Sequence, residues 1–398
     1  MKKSLNGIKI ARISTAPFFV VTQLSEQLKD ISEAGAQLTV ITSEFEPLGD
    51  NLVSNDLYSH NPLTIYREIN LLADFKALIK LIKIFRSEKF DIVHSTTPKA
   101  GLLVSIAGLF AGTKVRIHTF TGQTWVHKQG VMRYLLKALD SLIIRINTIS
   151  FVDSHSQKLY LSEQNVCKES QLHVLGAGSL AGVNLQRFSD QNFVKNELQT
   201  KRQALNIPEQ CKVILFLGRV TKDKGVCELL EAFKAVELSC NDIFLLIVGP
   251  LDNDFSVDGI EFEEAISSSD NIRYLGYQKS PEIFFQLADL LCLPSYREGF
   301  GTAVLEAAAS GLPCVGSNIY GLSDAIVNGE TGLLVEAKNP QSLALALEKL
   351  LKDQVLLDYM GAKAAQRAKV LFDSKKISQK LISEYLRLLN AKRKQLKI

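Results

Sequence analysis

The stretch Lys212-Val-Ile-Leu-Phe-Leu-Gly-Arg-Val-Thr-Lys-Asp-Lys-Gly225 decides the fold. Its first six residues form a short apolar run that Gly218 closes, the mark of a strand. A helical pattern opens just past Gly225 and covers Cys227 to Val236. Gly218 and Gly225 permit a tight turn and close approach of backbone. Between them Arg219 and Lys224 place two cations at the carboxyl end of the strand. Arginine grips phosphate through two hydrogen bonds and lysine acts as a point charge. Alone, the loop also fits a solvated basic turn.

The same alternation extends outward in both directions. Downstream, strands are expected at 243–248, 272–275, 290–293, 313–316 and 332–335, with helices at 281–288, from Gly301 to Ala309, and at 340–352. Upstream, a polar, charged stretch over 189–210 reads as a linker with a lead-in helix. Before it lies a second alternating set. Strands are expected at 7–13, 37–42, 90–94, 114–118 and 148–152, with helices at 22–34, 71–85, 98–110 and 135–144. Lys76, Lys80, Lys83 and Arg86 lie on the wet side of the 71–85 helix. Strands alternating with helices imply parallel sheets and two doubly wound domains. A final amphipathic helix, 377–389, has no strand after it. Ligands of such folds bind at the carboxyl ends of the strands, here in a cleft between domains.

A chain of 398 residues is comfortable for two domains. Hydrophobic residues make up 46% and charged residues 22%, as in an ordinary globular protein. Six cysteines stand without a Cys-x-x-Cys pair or a histidine at zinc spacing, and read as isolated thiols of a reducing compartment. No secretory signal follows Met1-Lys2-Lys3, and the apolar stretch from Ala100 to Gly112 is short of the ~20 residues a spanning helix needs. The expected location is the cytoplasm, at the inner face of the membrane. Residues 1–190 carry 21 basic and 16 acidic side chains, and the last 28 residues carry eight and two. Either these are solvated helix faces, or the first domain and the tail lie against an anionic membrane or acceptor. No aromatic-interleaved basic motif points to nucleic acid.

The second informative stretch is Pro294-Ser-Tyr-Arg-Glu-Gly-Phe-Gly-Thr-Ala-Val-Leu-Glu-Ala-Ala-Ala-Ser-Gly311. Again a strand leads through glycines into a helix. The N–H groups at the start of that helix, near Gly301, Thr302 and Ala303, make an anion site favoured by the helix dipole. Glu298 sits before the turn and Glu306 further along the helix. Carboxylates accept hydrogen bonds from pairs of sugar hydroxyls.

These residues resemble the donor domain of glycosyltransferase family 4, the retaining GT-B enzymes. The resemblance rests on Gly218-Arg219, Lys224-Gly225, Glu298-Gly-Phe-Gly301, Glu306-Ala307, Gly311-Leu-Pro313 and Gly329-Glu-Thr-Gly-Leu-Leu-Val335. Leu175-Gly-Ala-Gly-Ser179 through Gly182-Val-Asn-Leu-Gln-Arg-Phe188 is similar to the segment that leads into the family's linker. His94-Ser-Thr-Thr-Pro-Lys-Ala-Gly101 resembles bacterial capsule and O-antigen members. The resemblance implies a GT-B fold: an acceptor domain over 1–190, a nucleotide-sugar domain over 191–370, an interdomain cleft, and a basic helix over 371–398 crossing back to the first domain. It implies that Arg219 and Lys224 hold the donor diphosphate with Gly218 alongside. Glu306 takes the ribose hydroxyls and Glu298 lies by the donor sugar. N–H groups of Phe300, Gly301 and Thr302 touch sugar and phosphate, and the base rests near Tyr277. Neither a metal nor a resident cofactor is required.

The first domain departs from the family pattern. Ser14-Thr-Ala-Pro-Phe-Phe19 stands where many members have a glycine pair. Arg116-Ile-His-Thr-Phe-Thr-Gly-Gln-Thr-Trp125 puts Thr121 where the family histidine falls, with His118 three residues earlier. Thr121 or Gln123 is the expected replacement, His118 reading as a structural strand-end histidine. His94 and Lys99 are candidates for the acceptor side, Lys99 for an acceptor phosphate. Trp125 fits either stacking on a sugar, a lipid interface, or plain packing. Asp252-Asn-Asp254 spells a metal motif of the other major glycosyltransferase fold and reads here as a polar turn.

The expected activity is transfer of a hexose or N-acetylhexosamine from a nucleotide-sugar, a UDP-sugar first, to a glycan carried on a polyprenyl diphosphate. Alternatives are a nucleotide-sugar epimerase of the same architecture and a non-catalytic sugar-binding subunit. A nicotinamide dehydrogenase lacks its Gly-x-Gly-x-x-Gly after the first strand.

Overall fold

A computed structural model describes residues 4–43, 57–66, 69–189, 195–252, 255–257, 259–267 and 269–395. The chain forms two compact units, Met1–Gly182 with Ser374–Ile398, and Val183–Asp373.

The first unit is built on seven parallel strands: β1 Lys9–Ile13, β2 Gln37–Thr42, β3 Ser59–Pro62, β4 Ile92–Thr96, β5 Val115–Phe120, β6 Ile149–Val152 and β7 Leu172–Val174. Their order is β3-β2-β1-β4-β5-β6-β7, so the winding reverses between β1 and β4. Side chains alternate across the sheet and fill two cores. On one face Ile10, Val40 and Ile92 pack against Leu28, Ile31, Leu381 and Tyr385. On the other, Ile13, Ile41 and Val93 pack against Leu81, Phe85 and Val104. The helix Ser374–Gln395 supplies Leu381 and Tyr385, and so completes the first unit from the far end of the chain.

The second unit contains β8 Lys212–Leu217, β9 Ile243–Val248, a short antiparallel pair (β10 Ser256–Val257 and β11 Ile260–Glu261), β12 Ile272–Tyr274, β13 Leu290–Leu293, β14 Cys314–Ser317 and β15 Gly332–Val335. The six-stranded parallel order is β12-β9-β8-β13-β14-β15. Its reversal falls between β8 and β13, which pair through Ile214 with Leu290 and Leu215 with Leu291. The loops after β8 and β13 therefore start side by side at the switch point, where doubly wound sheets bind ligands.

Several expectations need correction. Strand β4 runs on to Thr96 and β5 to Phe120, so neither His94 nor His118 ends a strand. Strands β3 and β7 and the helices His155–Glu163 and Gln354–Leu371 are additions. All six cysteines are free thiols, buried or half-buried, as expected. Among the described residues no helix is long and apolar enough to cross a membrane, and no cluster of His, Cys, Asp or Glu is placed to hold a metal. Asn253 and Asp254 lie outside the described residues. Asp252 donates its backbone N–H to Val220 O at 3.2 Å.

Candidate active site

Two loops make the core of the site in the second unit. Gly225 closes the first with a φ of +71°, and a Cβ there would lie 2.1 Å from Pro294 O in the second. Only glycine meets both conditions. Tyr296 N–H donates to Asp223 O at 2.9 Å and draws the loops together again. Burial favours the neutral Asp223 acid, but the Thr221 hydroxyl at 2.6 Å, then Arg297, Lys224 and Arg219, outweigh it and hold this carboxyl below its ordinary range. Across the same junction Lys224 Nζ donates to Glu298 Oε1 at 2.5 Å. Ser295 Oγ donates to that oxygen at 2.9 Å. Both charged side chains are largely covered, 18% and 12% exposed, so solvent screens the pair less than one on the surface. Arg219 is half-buried, and its charge acts on Asp223 in the same loop.

The helix Thr302–Ala309 follows at once. Gly301 is its N-cap at φ +82°, and no side chain caps it. Its leading N–H groups and dipole favour an anion. Phe300 is 3% exposed, with its ring 5.2 Å from that of Phe372, so its backbone, not its ring, faces the loop. Glu306 lies on this helix. Burial pushes its carboxyl up to about 7, Arg187 opposes the shift and Glu282 adds to it. Arg187 is itself ion-paired with Glu282. Ser310 Oγ donates to Phe188 O at 3.0 Å, fixing the 187–188 segment to the same helix. Tyr277 is exposed, just past β12.

The first unit treats its candidates differently. His94 and His118 are each 1% exposed. His94 bonds Thr119 Oγ1 at 2.8 Å and Tyr385 OH at 2.7 Å, with Arg12 2.9 Å away. Burial, then the charges of Arg12 and His118, hold its imidazole well below the ordinary range. Burial lowers His118 to about 3, and Ser95 Oγ lies 3.0 Å from its Nδ1. Burial of both rings among these partners leaves neither on the surface of the first unit. Gln123 is likewise 1% exposed and accepts from Gln157 Nε2 at 3.2 Å. Thr121 is half-buried and remains a candidate. Lys99 forms an ion pair with Asp74 at 2.9 Å, which answers its charge without an acceptor phosphate. Trp125 is fully buried, stacks 5.7 Å from Tyr160 and donates to Asp140 at 2.7 Å, so its role is packing.

Known proteins resemble this chain in sequence and fold. "Glycosyl transferases group 1" matches residues 198–367, and "Glycosyl transferase 4-like domain" matches residues 20–178. A Staphylococcus aureus protein, the capsular polysaccharide biosynthesis glycosyltransferase CapM, is 30% identical over 359 residues, 90% of this chain and 92% of the relative. The chain belongs to glycosyltransferase family 4. It is thus a glycosyltransferase of the GT-B fold. An Escherichia coli family member, the UDP-Gal:alpha-D-GlcNAc-diphosphoundecaprenol alpha-1,3-galactosyltransferase, is 27% identical over 365 residues, 89% of this chain and 91% of the relative. The crystal structure of Anabaena Alr3699/HepE in complex with UDP superposes with a TM-score of 0.78 at 17% identity, over 96% of this chain and 100% of that one.

In this family 4 chain the structure adds Arg187, Glu282, Asp223 and Arg297 to the site. Arg187 lies in a motif already singled out, Gly182 to Phe188, but its link to Glu306 spans more than a hundred positions. Asp223 was visible within the cationic loop, whereas its partner Arg297 was not marked by spacing.

Proposed function

We propose that this glycosyltransferase moves a hexose or N-acetylhexosamine from a UDP-sugar to a polyprenyl-diphosphate-linked glycan during assembly of a capsule or O-antigen, with retention at the anomeric carbon. The observation that carries the reading is the junction where Lys224 and Glu298 meet between the loops after β8 and β13, with the charge of Arg219 acting on Asp223 in the first of these loops. Support for UDP and for a lipid-linked acceptor comes from the Escherichia coli relative, named for a UDP-Gal donor and a diphosphoundecaprenol-linked acceptor.

In this reading Arg219, Lys224 and the start of the Thr302 helix receive the diphosphate. Gly218 leaves room for it, and N–H groups of Phe300, Gly301 and Thr302 meet phosphate and sugar. Glu306 accepts from the ribose hydroxyls, Tyr277 lies beside the base, and Glu298 orients the sugar. As the bond from the anomeric carbon to the β-phosphate oxygen breaks, negative charge grows on UDP and positive charge on the sugar. The two cations stabilise that negative charge where it develops. The acceptor oxygen bonds the anomeric carbon on the face the phosphate leaves, and its proton passes to the departing phosphate. No protein nucleophile and no metal take part. Thr121 is the first unit's candidate for a sugar contact, and the basic balance of that unit suits a phosphorylated lipid acceptor at the cytoplasmic membrane face.

The test is to incubate the enzyme with a panel of UDP-, GDP- and ADP-sugars and a polyprenyl-diphosphate glycan, and to determine the product's anomeric configuration by NMR. A UDP-sugar should be consumed and its α-configuration kept. An inverted product would overturn the mechanism, and selective use of GDP- or ADP-sugars would overturn the donor.

A further inference from the structure

The loop 298–301 is held from two directions. In one, the Phe300 ring packs 5.2 Å from that of Phe372, which is fully buried. In the other, the short helix Leu322–Ala325 presses on the loop backbone. Gly321 is the N-cap of that helix at φ +84°, and a Cβ there would lie 2.6 Å from Gly299 O and 2.8 Å from Glu298 O. A Cβ at Gly301 would lie 2.6 Å from Leu322 Cδ2. Contacts this close leave the loop no room to shift toward the helix, and a packed interior transmits any movement of either support.

Arg367 joins the two supports. It lies half-buried on the helix Gln354–Leu371, with its guanidinium 4.8 Å from the centre of the Phe372 ring. Its Nη1 donates to Ala325 O at 2.8 Å and its Nη2 to Asp324 O at 2.6 Å. The last carbonyls of a helix lack partners within it and carry its negative end, so a cation there holds the helix by charge and by geometry. Phe372 is fixed in turn by its backbone. Its carbonyl accepts from Val183 N–H at 2.8 Å, and its N–H donates to Ala368 O at 2.9 Å.

These contacts close a circuit. It runs from Phe300 through Phe372 and Arg367 to the helix Leu322–Ala325, and back to Gly299 and Gly301. The planar fork of arginine reaches two carbonyls while its face covers an aromatic ring. A lysine offers one compact charge and cannot do both.

We propose that Arg367 is a positioning residue for the donor loop. It holds Phe372 against Phe300 and the helix Leu322–Ala325 against Gly299 and Gly301, and so aims the N–H groups of residues 300–302 at the diphosphate. This rests on the reading of that loop as a seat of the diphosphate, and names a residue outside the loop that sets its geometry.

The test is calorimetry of the full chain with UDP and with uridine, for the parent, Arg367→Lys, Phe372→Leu and the control Leu357→Ala, each with its melting temperature. Leu357 is buried on the same helix, about 15 Å from Arg367 along its axis. The control should lose melting temperature and keep both affinities. Arg367→Lys and Phe372→Leu should each weaken UDP by about tenfold, the worth of about one hydrogen bond to a charged group, at unchanged uridine affinity. Their losses should not add in the double variant, since both break one circuit. Parental UDP affinity in Arg367→Lys would overturn this inference alone. Equal weakening of UDP and uridine in all three variants would also overturn it, because general loosening of the helix produces that result. No UDP response in the parent would overturn the donor reading and this inference with it.

Discussion

Lys224 and Glu298 are joined by an ammonium–carboxylate contact of 2.5 Å across two loops that leave adjacent strands. A carboxylate beside the lysine partly cancels the charge a diphosphate would meet. Glu298→Gln should therefore bind UDP as tightly as the parent or tighter, while sugar transfer falls by about 10²-fold. Lys224→Ala should lose both. Calorimetry with UDP and steady-state kinetics separate the two effects. Transfer at the parental rate in Glu298→Gln would remove this carboxylate from the chemistry.

Glu306 predicts a pH dependence. Its carboxyl is raised to about 7, and the ionised form is the better acceptor for ribose hydroxyls. Affinity should rise as pH climbs through about 7. Uridine is the ligand to use, since it has no phosphate to titrate there. Glu306→Gln should flatten the profile, and Arg187→Gln, which removes the charge opposing the shift, should move its midpoint upward. A profile unchanged in Arg187→Gln would show that Arg187 does not act on Glu306.

Much of this frame is legible in residue order because the central strands are sealed on both faces. Residues Val213 to Phe216 of β8 and all of β9 are buried, and their unbroken apolar runs stand out. The helix Gln354–Leu371 was invisible for the opposite reason. It packs through Leu357, Met360, Gly361, Ala364 and Ala368, and a Cβ at Gly361 would lie 2.1 Å from Gly311 O. Beyond Met360 only small side chains carry its inner face, so the stripe of large apolar residues is too short to announce an eighteen-residue helix. Strand β3, Ser-His-Asn-Pro, is an edge strand with no apolar pattern. At the site, the glycine loops and their charges are local in sequence and could be read there. The burial of His94, His118 and Gln123 could not, because it depends on strands lengthened by polar residues and, for His94, on Tyr385 arriving from the far end of the chain.

Asp153 predicts the response of stability to pH. It is 5% exposed, its Oδ1 has no hydrogen-bond partner among the described residues, and burial pushes its carboxyl up to about 8. A raised carboxyl favours the folded state fully below its ordinary value of 3.8, and that contribution is lost as pH rises through about 8. Its share of the melting temperature should fall from about pH 4 to about pH 8 and level off above that. Asp153→Asn, neutral throughout, should remove that share of the decline and gain about 1–3 kcal/mol at the upper end. Parallel slopes in the two proteins would contradict it.

Thr121 is the remaining candidate at the family's histidine position. Thr121→Ala should lower kcat by about tenfold with little change in UDP affinity. His118→Gln should act on melting temperature instead, since its ring is buried. Unchanged turnover in Thr121→Ala would dismiss it as a sugar contact.

The central claim is that the cationic loop after β8 holds the diphosphate of a UDP-sugar. A thermal-shift panel of UDP, GDP, ADP and NAD on the parent and on Arg219→Ala tests it most directly. The account predicts selective stabilisation by UDP that Arg219→Ala abolishes. A response to UDP that survives Arg219→Ala, or no response to any nucleotide, would contradict it.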